Sequence, residues 1–151
     1  MKKVIAATAI ALGMSTTANA GPLEQSVAID SMCAGVMVSN SHPFPWRTDI
    51  PKPTGPVIDD LEKSALVLKI SAITKAQMWL GISADTAIAT INEQVAKSAD
   101  KTSRKFAAYL DAGDQEGGLT FMKTRYAQCE APLIRATASA RTNTRPSYNP
   151  Q

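Results

Sequence analysis

The sequence holds a single histidine, His42, in 151 residues. No Ser/His/Asp hydrolase set can be assembled around one histidine in a proline-flanked stretch. The motif C-x-x-C-H is absent, which excludes covalent haem attachment. Non-covalent haem would have to pair His42 with a distant methionine. No glycine-rich segment ends in Gly-Lys-Ser/Thr, so Gly117-Gly118 reads as a turn and not as a phosphate loop. None of the 13 acidic residues falls in an apolar stretch that would raise its pKa into the range of a general acid. Asp30 comes nearest, and reads as a solvated flank of a helix. The first helical segment has no basic residue, which disfavours bundles that gather arginine and lysine around a dianionic substrate. No catalytic set and no cofactor is expected.

Long apolar runs are scarce as well. The opening MKKVIAATAIALGMSTTANA has a basic start at Lys2 and Lys3, an apolar run over 4–14, and small residues at Ala18 and Ala20. These are the three parts of a secretory signal, with cleavage expected after Ala20. A membrane-spanning helix needs about 20 apolar residues, and polar residues break this run from Ser15. Gly21, not a cysteine, follows the cut, which argues against a lipid anchor. The expected mature chain is Gly21–Gln151, exported to the periplasm, with no membrane span.

The excess of positive charge comes from the two ends. The whole chain carries 16 basic and 13 acidic residues, a net of +3. Removing Lys2 and Lys3 leaves 14 against 13. Arg135, Arg141 and Arg145 follow the last acid, Glu130, so residues 21–134 carry 11 basic and 13 acidic groups. A folded region with a net charge of −2 has no electrostatic footprint for nucleic acid.

Only two cysteines occur, Cys33 and Cys129. Neither has a C-x-x-C partner or a nearby histidine, so a redox or metal-binding pair is disfavoured. An even count in an exported chain points to a disulfide. Closing a loop of nearly 100 residues restricts the unfolded chain by about 4–5 kcal/mol on the chain-entropy model.

Strand-like alternation is nearly absent, and helical periodicity dominates. Ile29, Met32 or Cys33, Val36 and Met37 give residues 22–40 one apolar face. Leu61, Ala65, Leu68, Ala72, Ala76 and Trp79 form the seam of a second helix, widened by Ile58, Leu66 and Ile73. Gly81 is placed to end that helix and Ser83 to cap a third. Ala84, Ile88, Ile91 and Val95 make the third seam, continued by Phe106 and Leu110, with an exposed or bent middle at 98–103. Leu119, Met122, Tyr126 and Cys129 form the fourth, which Pro132 kinks or ends. The pattern predicts an all-α, antiparallel four-helix bundle over 21–134, stapled by Cys33 and Cys129. A Pro-rich crossover loop spans 41–56, and a disordered basic tail is expected over 135–151.

That crossover is the most distinctive stretch. SNSHPFPWRTDIPKPTGP, residues 39–56, contains five of the nine prolines and one of the two tryptophans. It reads either as a stiff lid over one end of the bundle or as a contact loop, and the two are compatible. Phe44, Trp46 and Arg47 are the residue types that become interface hot spots, and are the expected partner-contacting residues. The functional expectation is an exported accessory or binding protein of the inhibitor, immunity or secretion-accessory kind, with a protein partner in the cell envelope. The alternative is a copper or haem carrier using His42 with Met32 or Met37, a soft ligand set suited to Cu(I). Against it, Met32 and Met37 stand five residues apart and do not share a helix face.

Overall fold

In the computed structural model, which describes residues 21–49 and 51–143, the chain is all-helical among the described residues. The helices are α1 (Pro22–Ser41), α2 (Pro56–Leu80), α3 (Ala84–Asp111), α4 (Gln115–Ala127) and α5 (Glu130–Asn143). The four-helix expectation holds with one modification: α4 and α5 share the fourth position, α4 lying against α3 and α5 against α2. The proposed signal, residues 1–20, and the last eight residues lie outside the described part.

Helix α1 begins with Pro22 in its first turn, where the missing N–H has no intrahelical acceptor to lose. It ends at His42, which precedes Pro43 and is driven out of helical geometry to φ −146°, ψ 80°. Its burial is not confined to one face. Val27, Cys33, Ala34, Val36 and Met37 are buried together with Asp30, Ser31, Ser39 and Ser41, and α1 touches all four other helices. A helix enclosed on most sides needs small residues where neighbours come close. At Gly35, an added Cβ would stand 2.5 Å from Ser98 Cβ and 2.6 Å from the Val95 carbonyl oxygen. Ile29, expected in the core, lies on the exposed side.

The α2 seam of Ala65, Leu68, Ala72 and Ala76 is buried as expected, with Leu61 and Ile73 packed at its edge. Trp79 leaves the seam and is 49% exposed, resting near Lys75 with the ammonium 5.9 Å from its ring centroid. Leu66 is also exposed. Gly81 takes the left-handed conformation at φ 65°, and Ser83 Oγ accepts from the Thr86 N–H, so both caps act as the sequence implies.

In α3 the buried line runs Ala87, Ile91, Val95, Ala99, Thr102 and Ser103, with Ala84 and Ile88 outside it. The polar middle is unbroken helix and does not face water throughout, since Ala99, Thr102 and Ser103 are buried. Ser98 Oγ donates to the Met32 carbonyl at 2.8 Å, and Ser103 and Ser39 share a buried hydroxyl–hydroxyl bond of 2.8 Å. Small hydroxyls let α3 approach α1 while satisfying their own hydrogen bonds. The Glu93–Lys97 and Asp100–Arg104 pairs form on the wet face, as their spacing implies.

Asp114 caps α4 by accepting from the Gly117 N–H at 2.8 Å. The buried residues of this helix are Gly118 and Met122, whereas Leu119 and Tyr126 face outward. The helix breaks at Gln128–Cys129, four to three residues before Pro132. A proline ring clashes with the carbonyl four residues back, here Gln128, and its missing N–H is harmless in the first turn of a new helix. Pro132 therefore sits in the first turn of α5. The expectation of a disordered tail from 135 is corrected: α5 continues through Asn143. Leu133 and the buried Ala136 meet the core, and that small apolar stripe is enough to dock an otherwise polar helix on α2.

Cys33 and Cys129 are bonded, with Cα atoms 5.3 Å apart and both residues fully buried. The staple ties the middle of α1 to the α4–α5 joint, which is where α1 meets the broken fourth position. No described helix is long and apolar enough to cross a membrane.

Candidate interaction surface

The crossover leaves α1 at His42 and immediately turns. The Phe44 carbonyl accepts from the Arg47 N–H at 3.0 Å, with Pro45 at the second position of the turn, where its fixed φ is favourable. This turn lifts Trp46 to its outer corner. Arg47 then folds onto Asp49 through two parallel bonds, Nε to Oδ1 at 2.8 Å and Nη2 to Oδ2 at 2.7 Å. The hydrogen bond from Arg47 holds the Asp49 carboxyl down at about 2 from its ordinary value of 3.8. That bond also raises the Arg47 guanidinium, with a smaller contribution from Asp111 on α3.

The loop is anchored by aromatic contact with α3. Phe44 stacks on Phe106 with centroids 5.7 Å apart and planes 22° from parallel. Trp46 meets Phe44 edge-on at 6.2 Å. The Arg104 guanidinium lies 5.1 Å from the centre of the Trp46 ring while it is held from behind by Asp100. Below Phe106, Gly118 of α4 gives the ring room: a Cβ there would stand 3.1 Å from its edge. Tyr109 and Phe121 continue the aromatic band at 5.8 Å, with Lys105 5.5 Å from the Tyr109 ring. Five of the chain's eight aromatic residues thus gather at the end of the bundle under this loop.

The three expected contact residues fall in one place with different roles. Phe44 is partly buried and fastens the loop, Trp46 remains 39% exposed, and Arg47 is exposed and paired. Lid and exposed platform are two parts of one arrangement. Sequence reasoning missed Arg104, read only as the partner of Asp100, and Phe106, read as continuing the α3 seam.

The carrier residues are not drawn together. Met37 is fully buried in the core, Met32 packs at its edge, and His42 lies at the end of α1 beside a pocket that neither methionine lines. No group of three or more His, Cys, Asp or Glu side chains suited to a metal occurs among the described residues.

Asp30 also differs from its expected position on a wet flank. It is 2% exposed and accepts from Lys75 Nζ at 2.5 Å and from Ser71 Oγ at 2.7 Å, while Lys75 also donates to Ser26 Oγ at 2.9 Å. No spacing signal links Asp30 to a lysine 45 residues away.

No family model matches the chain, and no curated protein and no solved structure matches it.

Proposed function

We propose that this is an exported, periplasmic accessory protein that acts by binding another protein of the cell envelope, without catalysis. The observation that carries this reading is the support of Trp46. A large aromatic side chain stands at the corner of a proline-fixed turn, backed by the Phe44–Phe106 stack and by Arg104. Keeping such a residue rigid and partly open to water lowers the ordering cost of binding, which is how preorganised hot spots gain affinity. The disulfide supports the compartment, because such bonds persist where the surroundings are oxidising. The contact set is Phe44, Trp46 and Arg47, with the basic C-terminal segment as a second contact surface.

The test is a photo-crosslinking residue at Thr48, introduced into the full chain in its own cells. The expected result is a discrete adduct that Trp46→Ala reduces at least tenfold while the melting temperature stays within a few degrees. If Trp46→Ala melts far lower and the adduct persists, the loop is a structural lid and the contact reading fails.

A further inference from the structure

A second surface feature is lined by His42 and Lys52, at the two ends of the same loop. Between the C-terminal end of α1 and the first half of α2 is a pocket of about 290 Å³. That is near the lower end of small-molecule sites, which run from about 300 to 1,000 Å³. Its apolar lining comes from Val38, Ala65, Leu66 and Val95, one or more from each of α1, α2 and α3. Val38 and Leu66 are both exposed, so two large aliphatic side chains on neighbouring helices flank an unfilled hollow.

The polar lining is Ser41, His42, Lys52, Glu62 and Lys69. Lys52 and Glu62 form an ion pair and cancel, which leaves the ammonium of Lys69 as the net charge of the rim. Lys69 differs from the six cations of the fold that form ion pairs. Lys52, Lys63, Lys75, Lys97, Arg47 and Arg104 each meet a carboxylate, whereas Lys69, although partly buried, has neither a carboxylate nor a hydrogen-bond partner among the described residues. Among the described residues the His42 ring likewise has no partner, and its backbone N–H donates to the Val38 carbonyl. An ammonium and an imidazole that line one pocket without a partner among the described residues, together with its aliphatic lining, complement a ligand with one anionic head and a short apolar tail.

We propose that this pocket binds a small amphiphilic carboxylate, with its tail over Val38, Leu66 and Val95 and its head at Lys69 and His42. The small volume selects a short chain, and the net positive rim selects an anion over a neutral or cationic head. The inference is independent of the protein-contact reading, although His42 and Lys52 are the two ends of the segment that carries Trp46.

The experiment is a titration of the full-length, disulfide-bonded protein with octanoate, followed by amide and methyl NMR, with octan-1-ol and octylammonium as controls. Saturable shifts confined to Val38, His42, Leu66, Lys69 and Val95 are expected, with octanoate binding at least tenfold tighter than either control. Lys69→Gln should remove that preference, and Leu66→Gln should weaken octanoate severalfold. Octanol binding as tightly as octanoate would reduce the site to an apolar cleft and overturn the proposal. Undiminished octanoate binding by Lys69→Gln would also overturn it, because the lysine would then serve only to cover apolar surface with its stem. Shifts that scatter over the molecule without saturating would do the same.

Discussion

Lys75 Nζ lies 2.5 Å from the Asp30 carboxylate, inside the contact between α2 and α1, with side-chain exposures of 15% and 3%. Ser71 and Ser26 complete the set, so each charge has a second polar neighbour. The pair fixes how the two helices slide and rotate against each other, because a shift of either by one residue would leave a buried charge alone. Asp30→Ala should therefore lower stability by about 3–5 kcal/mol, the usual cost of stranding one member of a buried pair. Asp30→Leu combined with Lys75→Met should recover most of that loss. Urea unfolding of the two single variants and the double variant measures both values. A double variant as unstable as the worse single one would show that the site cannot accept apolar packing.

The Arg47–Asp49 pair gives a pH signature outside the core. Asp49 has its pKa depressed to about 2 from 3.8, chiefly by the hydrogen bond from Arg47. A depressed carboxyl favours the folded loop above its unfolded value and loses that contribution as pH falls from about 3.8 through about 2. Side-chain carboxyl NMR should place the Asp49 midpoint near 2 in the native protein. Arg47→Ala should return it to about 3.9, the value of an unperturbed aspartate. A midpoint already near the ordinary value in the native protein would mean that the bidentate pair does not persist in solution.

Replacing Gly35 tests the close approach of α1 and α3. Alanine is normally the better helix former, by about 1 kcal/mol. Here its methyl would meet the Ser98 side chain and the Val95 carbonyl, the latter a backbone atom that cannot rotate away. Gly35→Ala should destabilise by about 1–3 kcal/mol, the range for overpacking a tight contact. Ser98→Gly in the same chain should restore only part of the loss. A stabilised Gly35→Ala variant would show that the helices stand farther apart.

The disulfide joins residues separated by 96 positions, both fully buried. Cys33→Ser with Cys129→Ser should cost about 4–5 kcal/mol on the chain-entropy model. The loss should appear as a lower denaturant midpoint. In the intact protein, reductant should act at a rate limited by opening of the structure, since neither sulfur meets solvent. Rapid reduction under native conditions would contradict that burial.

Features that rest on local chemistry were readable in advance. Gly81 and Ser83 cap their helices because a left-handed turn and a side-chain acceptor are properties of single residues. The α2 seam of alanines and Leu68 follows directly from period 3.6. Periodicity gives a stripe without fixing its angular centre, which is why Trp79, Ile88 and Tyr126 rotated outward while Ala87 and Gly118 turned in. The break before Pro132 lies one turn upstream of where a proline is read, since the clash falls on the preceding carbonyl. Helix α5 was hidden because its stability comes from docking on α2, not from its own composition. In the candidate surface, Phe44, Trp46 and Arg47 stood out by residue type. Phe106 and Arg104 did not, because only the path of the loop brings residues 60 positions apart face to face.

The Cys33–Cys129 bond makes one covalent ring of the second half of α1 with α2, α3 and α4. The first half of α1 and all of α5 hang from it as two arms. A pull on the chain ends would unravel those arms and then pass from sulfur to sulfur, bypassing everything inside the ring. Trp46, Phe44 and Phe106 all lie within it. The aromatic end of the bundle is thus mechanically shielded, and would keep its shape under tension that strips both arms away.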